Sequence, residues 1–268
     1  MDRYAVIGNP VAHSLSPEIH HAFAEQTGQR LSYEKLTAPA GGFREAADSF
    51  FATGGLGLNV TLPFKGNAFE WVHEARGAAA RAKAVNTIAL EDDRTAGFNT
   101  DGEGLVGDLR ALGVNVAGRS LLLIGAGGAV QGVLPALVDA GAGRIVVANR
   151  TVSRARALAA RYPANVESAA LDGLAPGFDV VINGTSAGLK GQGALIDERI
   201  ARDAVCYDML YARDGSTPFC GWADRAGASA VADGLGMLVE QAGTAFAIWR
   251  GVRPDTRKVL EELRQGCT

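Results

Sequence analysis

Cysteine is scarce in this chain. Cys206, Cys220 and Cys267 make an odd set without metal-type spacing, so neither a disulfide framework nor a zinc site is expected, and the thiols read as buried or bystander groups. Histidine is scarce too: His13, His20, His21 and His73 form no i, i+4 pair with a third donor, so no metal is expected. No stretch approaches the ~20 apolar residues that span a bilayer. Asp2 and Arg3 lead into a strand rather than a signal-peptide core, so no membrane partner and a cytoplasmic location are expected. An excess of either charge is also missing. The net charge is −3, with no block of like sign, which excludes the basic stripe of a nucleic-acid binder. Small molecules remain as partners.

What is present is a chain of 268 residues, 47% hydrophobic, enough to bury a core in each of two domains. The 35 glycines sit singly or in pairs at strand ends, as turn punctuation rather than low complexity. Short apolar runs recur between helical patterns: Tyr4–Ile7, Leu31–Leu36, Gly55–Val60 and Ala84–Leu90, then Leu121–Ile124, Ile145–Ala148, Val180–Ile182, Val205–Tyr207 and Ala228–Val231. Such alternation predicts an α/β protein with mostly parallel sheets. A helix over Glu103–Leu112 ends at Gly113, and a new strand starts after Gly118. Within Leu235–Arg250, Leu235, Leu238, Val239, Ala242, Ala245, Phe246 and Trp249 follow helical spacing. This helix follows the last strand and has none to cross to, so it is expected to return to the first domain. The expected division is therefore residues 1–101 with 236–268 as a discontinuous first domain, and 102–235 as a Rossmann-type second domain, with a cleft between them.

The second domain opens with the most informative segment. Leu121-Leu-Leu-Ile124 runs into Gly125-Ala126-Gly127-Gly128-Ala129, and one helix later Arg144–Ala148 runs into Asn149-Arg150-Thr151. A strand, a glycine turn and a helix leave free backbone N–H groups and a positive helix end, which suit a pyrophosphate. The glycine pattern is imperfect, because Val130 stands where a third glycine would. An NAD site usually places an acid about 20 residues on, for the ribose 2′-OH. Asn149 and Arg150 follow Gly125 by 24 and 25 residues instead, and a guanidinium holds a 2′-phosphate that a carboxylate would repel. NADP is the expected cofactor.

Three polar clusters precede that domain, each just past an apolar strand, where open α/β sheets bind ligands. The first is Asn9-Pro10 with Ser14-Leu-Ser16-Pro17: paired hydroxyls ahead of a helix suit a carboxylate, while Ser16 can equally be a cap before proline. In the second, Asn59-Val-Thr61-Leu-Pro63-Phe-Lys65, an extended Gly57–Thr61 puts Asn59 and Thr61 on one face, and Lys65 falls on the next turn. A lone lysine is usually a solvated residue; beside Asn59 and Thr61 it becomes a candidate for catalysis. The third comprises Ala84-Val-Asn86-Thr87 and Asn99-Thr-Asp101-Gly102. Asp before glycine is often a turn residue, yet beside Lys65 it would form a pair able to relay a proton, with Asn86 aligning a hydroxyl.

Together with Asn183-Gly-Thr-Ser186, Tyr207-Asp-Met-Leu-Tyr211 and Asp233-Gly-Leu-Gly-Met237, these motifs resemble the shikimate dehydrogenase family from residue 4 to about 255, in the family's order. The resemblance implies an oxidoreductase that reduces 3-dehydroshikimate to shikimate with NADPH, on the route to chorismate and the aromatic amino acids. It implies Ser14 and Ser16 as carboxylate ligands and Lys65 and Asp101 as the catalytic pair. Asn59, Thr61, Asn86, Tyr211 and Gln241 become substrate contacts, Gln241 being otherwise an unexplained amide on the apolar return helix. For the cofactor it implies Gly125 to Ala129 at the pyrophosphate, and Asn149, Arg150, Thr151 and Arg154 around the 2′-phosphate. Met209, Gly234 and Met237 would line the nicotinamide. Two departures bear on cofactor affinity: Gln131 stands where arginine is common, and Gly77 where an acid is common. A quinate/shikimate dehydrogenase using NAD is one rival reading, and a catalytically silent dinucleotide-binding regulator another. Asn149-Arg150 and the paired serines speak against the first, the presence of Lys65 and Asp101 against the second. A homodimer is the one macromolecular partnership this reading leaves room for.

Overall fold

The computed structural model describes residues 1–185 and 196–266; Ser186 and Cys267 lie outside them. The chain divides into two compact units, Met1–Gly104 with Leu238–Glu262, and Leu105–Met237 with 263–268.

The first unit runs β1 (Asp2–Gly8), α1 (Ser16–Gln26), β2 (Leu31–Thr37), α2 (Phe43–Ala52), β3 (Gly55–Val60), α3 (Lys65–Trp71), β4 (Glu74–Ala75), α4 (Ala78–Ala82), β5 (Thr87–Glu91), β6 (Arg94–Phe98) and the start of α5 (Asp101–Ala111). Its sheet has the order β2-β1-β3-β5-β6-β4. The β1–β2, β1–β3 and β4–β6 pairs are parallel, while β3–β5 and β5–β6 are antiparallel. The predicted strand over Ala84–Leu90 begins only at Thr87. β6, which Arg-Thr-Ala-Gly-Phe did not announce, follows a two-residue turn at Asp92 and Asp93 with φ of 45° and 62°, the left-handed geometry of a tight hairpin. Alternate side chains of β1 and β3 face opposite layers. Ala5, Ile7, Leu58 and Val60 pack with Phe43, Phe50 and Phe64. On the other face, Tyr33 of β2 and His20 of α1 stack at 4.3 Å, and Trp249 stacks on Tyr4 at 4.7 Å.

The second unit continues with β7 (Ser120–Ile124), α6 (Gly128–Asp139), β8 (Arg144–Ala148), α7 (Val152–Ala159), β9 (Val166–Ala169), β10 (Val180–Asn183), β11 (Val205–Asp208), α8 (Pro218–Arg225) and β12 (Ala230–Ala232). Its sheet is parallel throughout, in the order β12-β11-β10-β7-β8-β9. Covered on both faces, the inner strands β7, β8, β10 and β11 read as largely apolar runs. Leu121, Leu123, Ile145 and Val147 face a layer with Leu105, Leu109, Val133 and Leu137; Leu122, Ile124, Val146 and Cys206 face Phe219 and Trp222. The chain closes with α9 (Leu235–Arg250) and α10 (Thr256–Gln265). Among the described residues no helix is long and apolar enough to cross a membrane.

Candidate active site

Each sheet has a point where its strand order reverses, and ligands of open α/β sheets bind beyond the carboxyl ends of the strands there. In the first unit that point lies between β1 and β3, and all three polar clusters gather near it. Lys65 opens α3 and Asp101 opens α5. Lys65 Nζ donates to Asp101 Oδ2 at 2.6 Å, with side chains only 16% and 8% exposed. A cation and a carboxylate this enclosed are each stabilised by the other, and removing one strands its partner. Asn86 Nδ2 donates to the second oxygen, Oδ1, at 2.8 Å. The Asp101 amide is itself anchored on Asn99 Oδ1, so Asp101 is a fixed helix-start residue rather than a loose turn.

Gln241, on α9, joins this group. Its Oε1 accepts from Thr100 Oγ1 at 3.3 Å and from Asn86 Nδ2 at 3.4 Å, while its Nε2 donates to the Leu238 carbonyl. The buried Asn59 carboxamide accepts from Tyr33 Oη at 2.7 Å and donates to Thr87 Oγ1 at 3.0 Å. Thr61 is half-buried, held by its amide on the Ile7 carbonyl. Ser14 and Ser16 hydroxyls lie 3.1 Å apart. Ser16 is not the helix cap: Leu15 takes that position without a side-chain bond, and the Ser16 amide donates to Ser14 Oγ instead. A sugar-acid-sized ligand would therefore meet hydroxyl donors, amides and one ammonium–carboxylate pair.

Tyr33 is a neighbouring group that composition and spacing do not single out; Thr87 and Thr100 stand in the third cluster with no role assigned to them, and His20 carries none beyond the exclusion of metal. Among the described residues neither ring nitrogen of His20 has a hydrogen-bond partner. Complete burial pushes its pKa down to about 3, against a weaker upward pull from nearby Asn59. The uncharged imidazole packs against Tyr33 and Phe23.

In the second unit the order reverses between β7 and β10. Gly125 follows β7 with φ of +111°, which only glycine adopts easily, and the space where a Cβ would stand is closed by the Gly184 carbonyl at 3.2 Å. Gly127 and Gly128 have nothing within 4 Å of a Cβ position. They present the open first turn of α6, whose leading N–H groups lack intrahelical partners. Gln131 donates to the Ala126 carbonyl, so it braces the loop. Asn149 donates to the Thr151 carbonyl. Arg150 and Arg154 are exposed, and no ion pair engages either among the described residues. A recess of about 540 Å³ opens beside Arg150, lined by Leu171, Leu174 and Ile196.

Met209 follows β11 with its amide on the Asn183 carbonyl, Gly234 bonds the Leu210 carbonyl, and Met237 is buried. Tyr211 is half-buried on the segment after β11. Tyr211 and the glycine, arginine and methionine groups thus belong to the second unit, and the lysine–aspartate group to the first. A larger groove of about 730 Å³, lined by Arg119, Asp179 and Asp203, sits at the amino ends of β7, β10 and β11, the wrong end for a switch-point ligand. Gly77 takes φ of 52° and ψ of −119°, a conformation that penalises the acid common at that place.

Three family models match the chain: a shikimate dehydrogenase substrate binding domain over residues 6–88, shikimate / quinate 5-dehydrogenase over 109–197, and a shikimate 5′-dehydrogenase C-terminal domain over 234–264. The shikimate dehydrogenase (NADP(+)) of Hahella chejuensis is 54% identical, covering 99% of this chain and 100% of that protein. Its counterpart from Alkalilimnicola ehrlichii is 53% identical, covering 98% of each. Among solved structures, shikimate 5-dehydrogenase from Thermus thermophilus in complex with NADP(H) and shikimate superposes with a TM-score of 0.89 at 33% identity, covering 99% of each chain.

Proposed function

The chain belongs to the shikimate dehydrogenase family, and we propose on that premise that it catalyses the reversible NADPH-linked reduction of 3-dehydroshikimate to shikimate. It serves the cytoplasmic route to chorismate and the aromatic amino acids. The observation that carries the reading is the 2.6 Å Lys65–Asp101 pair beside Asn86 and Gln241.

The donors present suit NADP. Open glycines at the start of α6 leave room and N–H groups for the pyrophosphate, and Asn149 replaces the acid that would repel a 2′-phosphate. Arg150 and Arg154, exposed and without an ion pair among the described residues, are the charges to receive that phosphate, with Thr151 beside them and the recess at Arg150 taking the adenosine. Met209, Gly234 and Met237 line the nicotinamide. When bound, NADPH supplies the hydride for the ring ketone. Every other task falls to side chains. Ser14 and Ser16 hold the substrate carboxylate, and Asn59, Thr61, Asn86, Tyr211 and Gln241 take its hydroxyls. As the ketone oxygen gathers negative charge, Lys65 Nζ stabilises it and the Lys65–Asp101 pair delivers the proton. In the oxidative direction the same pair receives that proton back.

The test is a four-way assay with purified protein, offering shikimate or quinate with NADP⁺ or NAD⁺ and following nucleotide absorbance. Turnover confined largely to shikimate with NADP⁺ is expected. Comparable turnover of quinate or use of NAD⁺ would move the protein to the relaxed dehydrogenases, and silence in all four would remove the enzymatic reading.

A further inference from the structure

We propose that Tyr33 and Thr87 are positioning residues, the two hydroxyl links of one directional hydrogen-bond chain that runs from Tyr33 through Asn59 and Asn86 to the Lys65–Asp101 pair. The chain sets, before substrate arrives, which way the carboxamides of Asn59 and Asn86 point. This rests on the site reading above.

The links are continuous. Ser14 Oγ donates to Ser16 Oγ at 3.1 Å at the first cluster, and the chain proper begins at the Tyr33 hydroxyl. Tyr33 Oη donates to Asn59 Oδ1 at 2.7 Å, Asn59 Nδ2 to Thr87 Oγ1 at 3.0 Å, Thr87 Oγ1 to Asn86 Oδ1 at 3.0 Å, and Asn86 Nδ2 to Asp101 Oδ1 at 2.8 Å. Every donor thus points toward the carboxylate that receives Lys65.

The direction is imposed by backbone groups. A carbonyl can only accept, and Asn59 Nδ2 also donates to the Asn86 carbonyl, so the Asn59 oxygen must face Tyr33. An amide N–H can only donate, and the Thr100 N–H donates to Asn86 Oδ1 at 2.8 Å, so the Asn86 nitrogen must face Asp101. A phenol has one proton. Tyr33 spends it on Asn59; Thr87, receiving from Asn59, has its own proton free for Asn86.

Two features fix the links themselves. Asn59 and Thr87 stand directly opposite in the antiparallel β3–β5 pair, where facing side chains are close neighbours. Tyr33 lies flat on His20, with an interplanar angle of 8°, beneath Trp249 at 6.4 Å. Burial holds the Tyr33 phenol well above the usual tyrosine range, so it stays a donor wherever the enzyme works. Ordering the amides in advance spares the substrate that cost on binding.

The experiment compares Tyr33→Phe, Thr87→Val, Thr87→Ser and the Tyr33→Phe/Thr87→Val double variant with wild type. It measures kcat and KM for shikimate and for NADP⁺, shikimate affinity by calorimetry, and thermal unfolding as a check of folding. Each of Tyr33→Phe and Thr87→Val is expected to lower kcat/KM for shikimate by about tenfold, the scale of one lost hydrogen bond, with KM for NADP⁺ unchanged. Thr87→Ser keeps the hydroxyl and should stay near wild type. The double variant should lose little more than either single one, because links of one chain are not independent. Wild-type values in Tyr33→Phe, or losses that multiply in the double variant, would overturn the inference while leaving the enzymatic reading intact. A wild type that neither turns over nor binds shikimate would instead overturn that reading, and this inference with it.

Discussion

Lys65 pairs with Asp101 at 2.6 Å in an enclosed site. Lys65→Ala is expected to lower kcat by about a hundredfold or more, since a charge aimed at a developing oxyanion contributes several kcal/mol. Shikimate affinity should change little; a variant with near-normal turnover would take Lys65 out of the chemistry. His20 makes a different prediction. Its pKa stands near 3 in the fold, because burial disfavours its charge, against 6.5 unperturbed. Between those values the unfolded chain binds the extra proton. Stability from this source is therefore full above pH 6.5 and is lost as pH falls toward 3, about 2 kcal/mol of it by pH 5. Urea midpoints measured from pH 7 to 5 should fall less steeply in His20→Phe, which keeps a stacked ring; equal slopes would contradict the assignment.

At the scale of elements, β7, α6 and β8 form one device: a strand delivers a glycine turn to a helix start, and the next strand delivers Arg150. Because Arg150 is exposed, its attraction for a 2′-phosphate is screened by salt. Arg150→Ala should raise KM for NADP⁺ about tenfold, the worth of one charge-assisted bond, and leave KM for shikimate alone. The difference should shrink at high salt, and an unchanged KM for NADP⁺ would shift the role to Arg154. These elements were legible because strands buried on both faces must be apolar along their length. β6 and β9 were not: Arg94–Phe98 is half polar, and Val166–Ala169 is a short edge strand carrying Glu167. The polar clusters were legible because each follows a strand. Tyr33 was missed, and Thr87 was named in its cluster without a role, for a physical reason: their meeting with Asn59 comes from strand order and cross-strand register, which no local spacing encodes.

At the scale of the whole molecule, a ligand that binds only the folded chain stabilises it by mass action, about 2.7 kcal/mol at a hundredfold excess over its Kd. NADP⁺ should therefore raise the unfolding temperature more than NAD⁺ does at equal concentration. Hydrogen exchange should slow first at the amides of residues 125–131 and 149–154, and protection found elsewhere but not there would count against the glycine loop. The aromatic packing carries an optical consequence. Of the three tryptophans, Trp222 sits in the core of the second unit, while Trp71 and Trp249 belong to the first. The protein thus has intrinsic fluorophores sorted by unit, and Trp222→Phe would leave emission that reports on the first unit's melting alone.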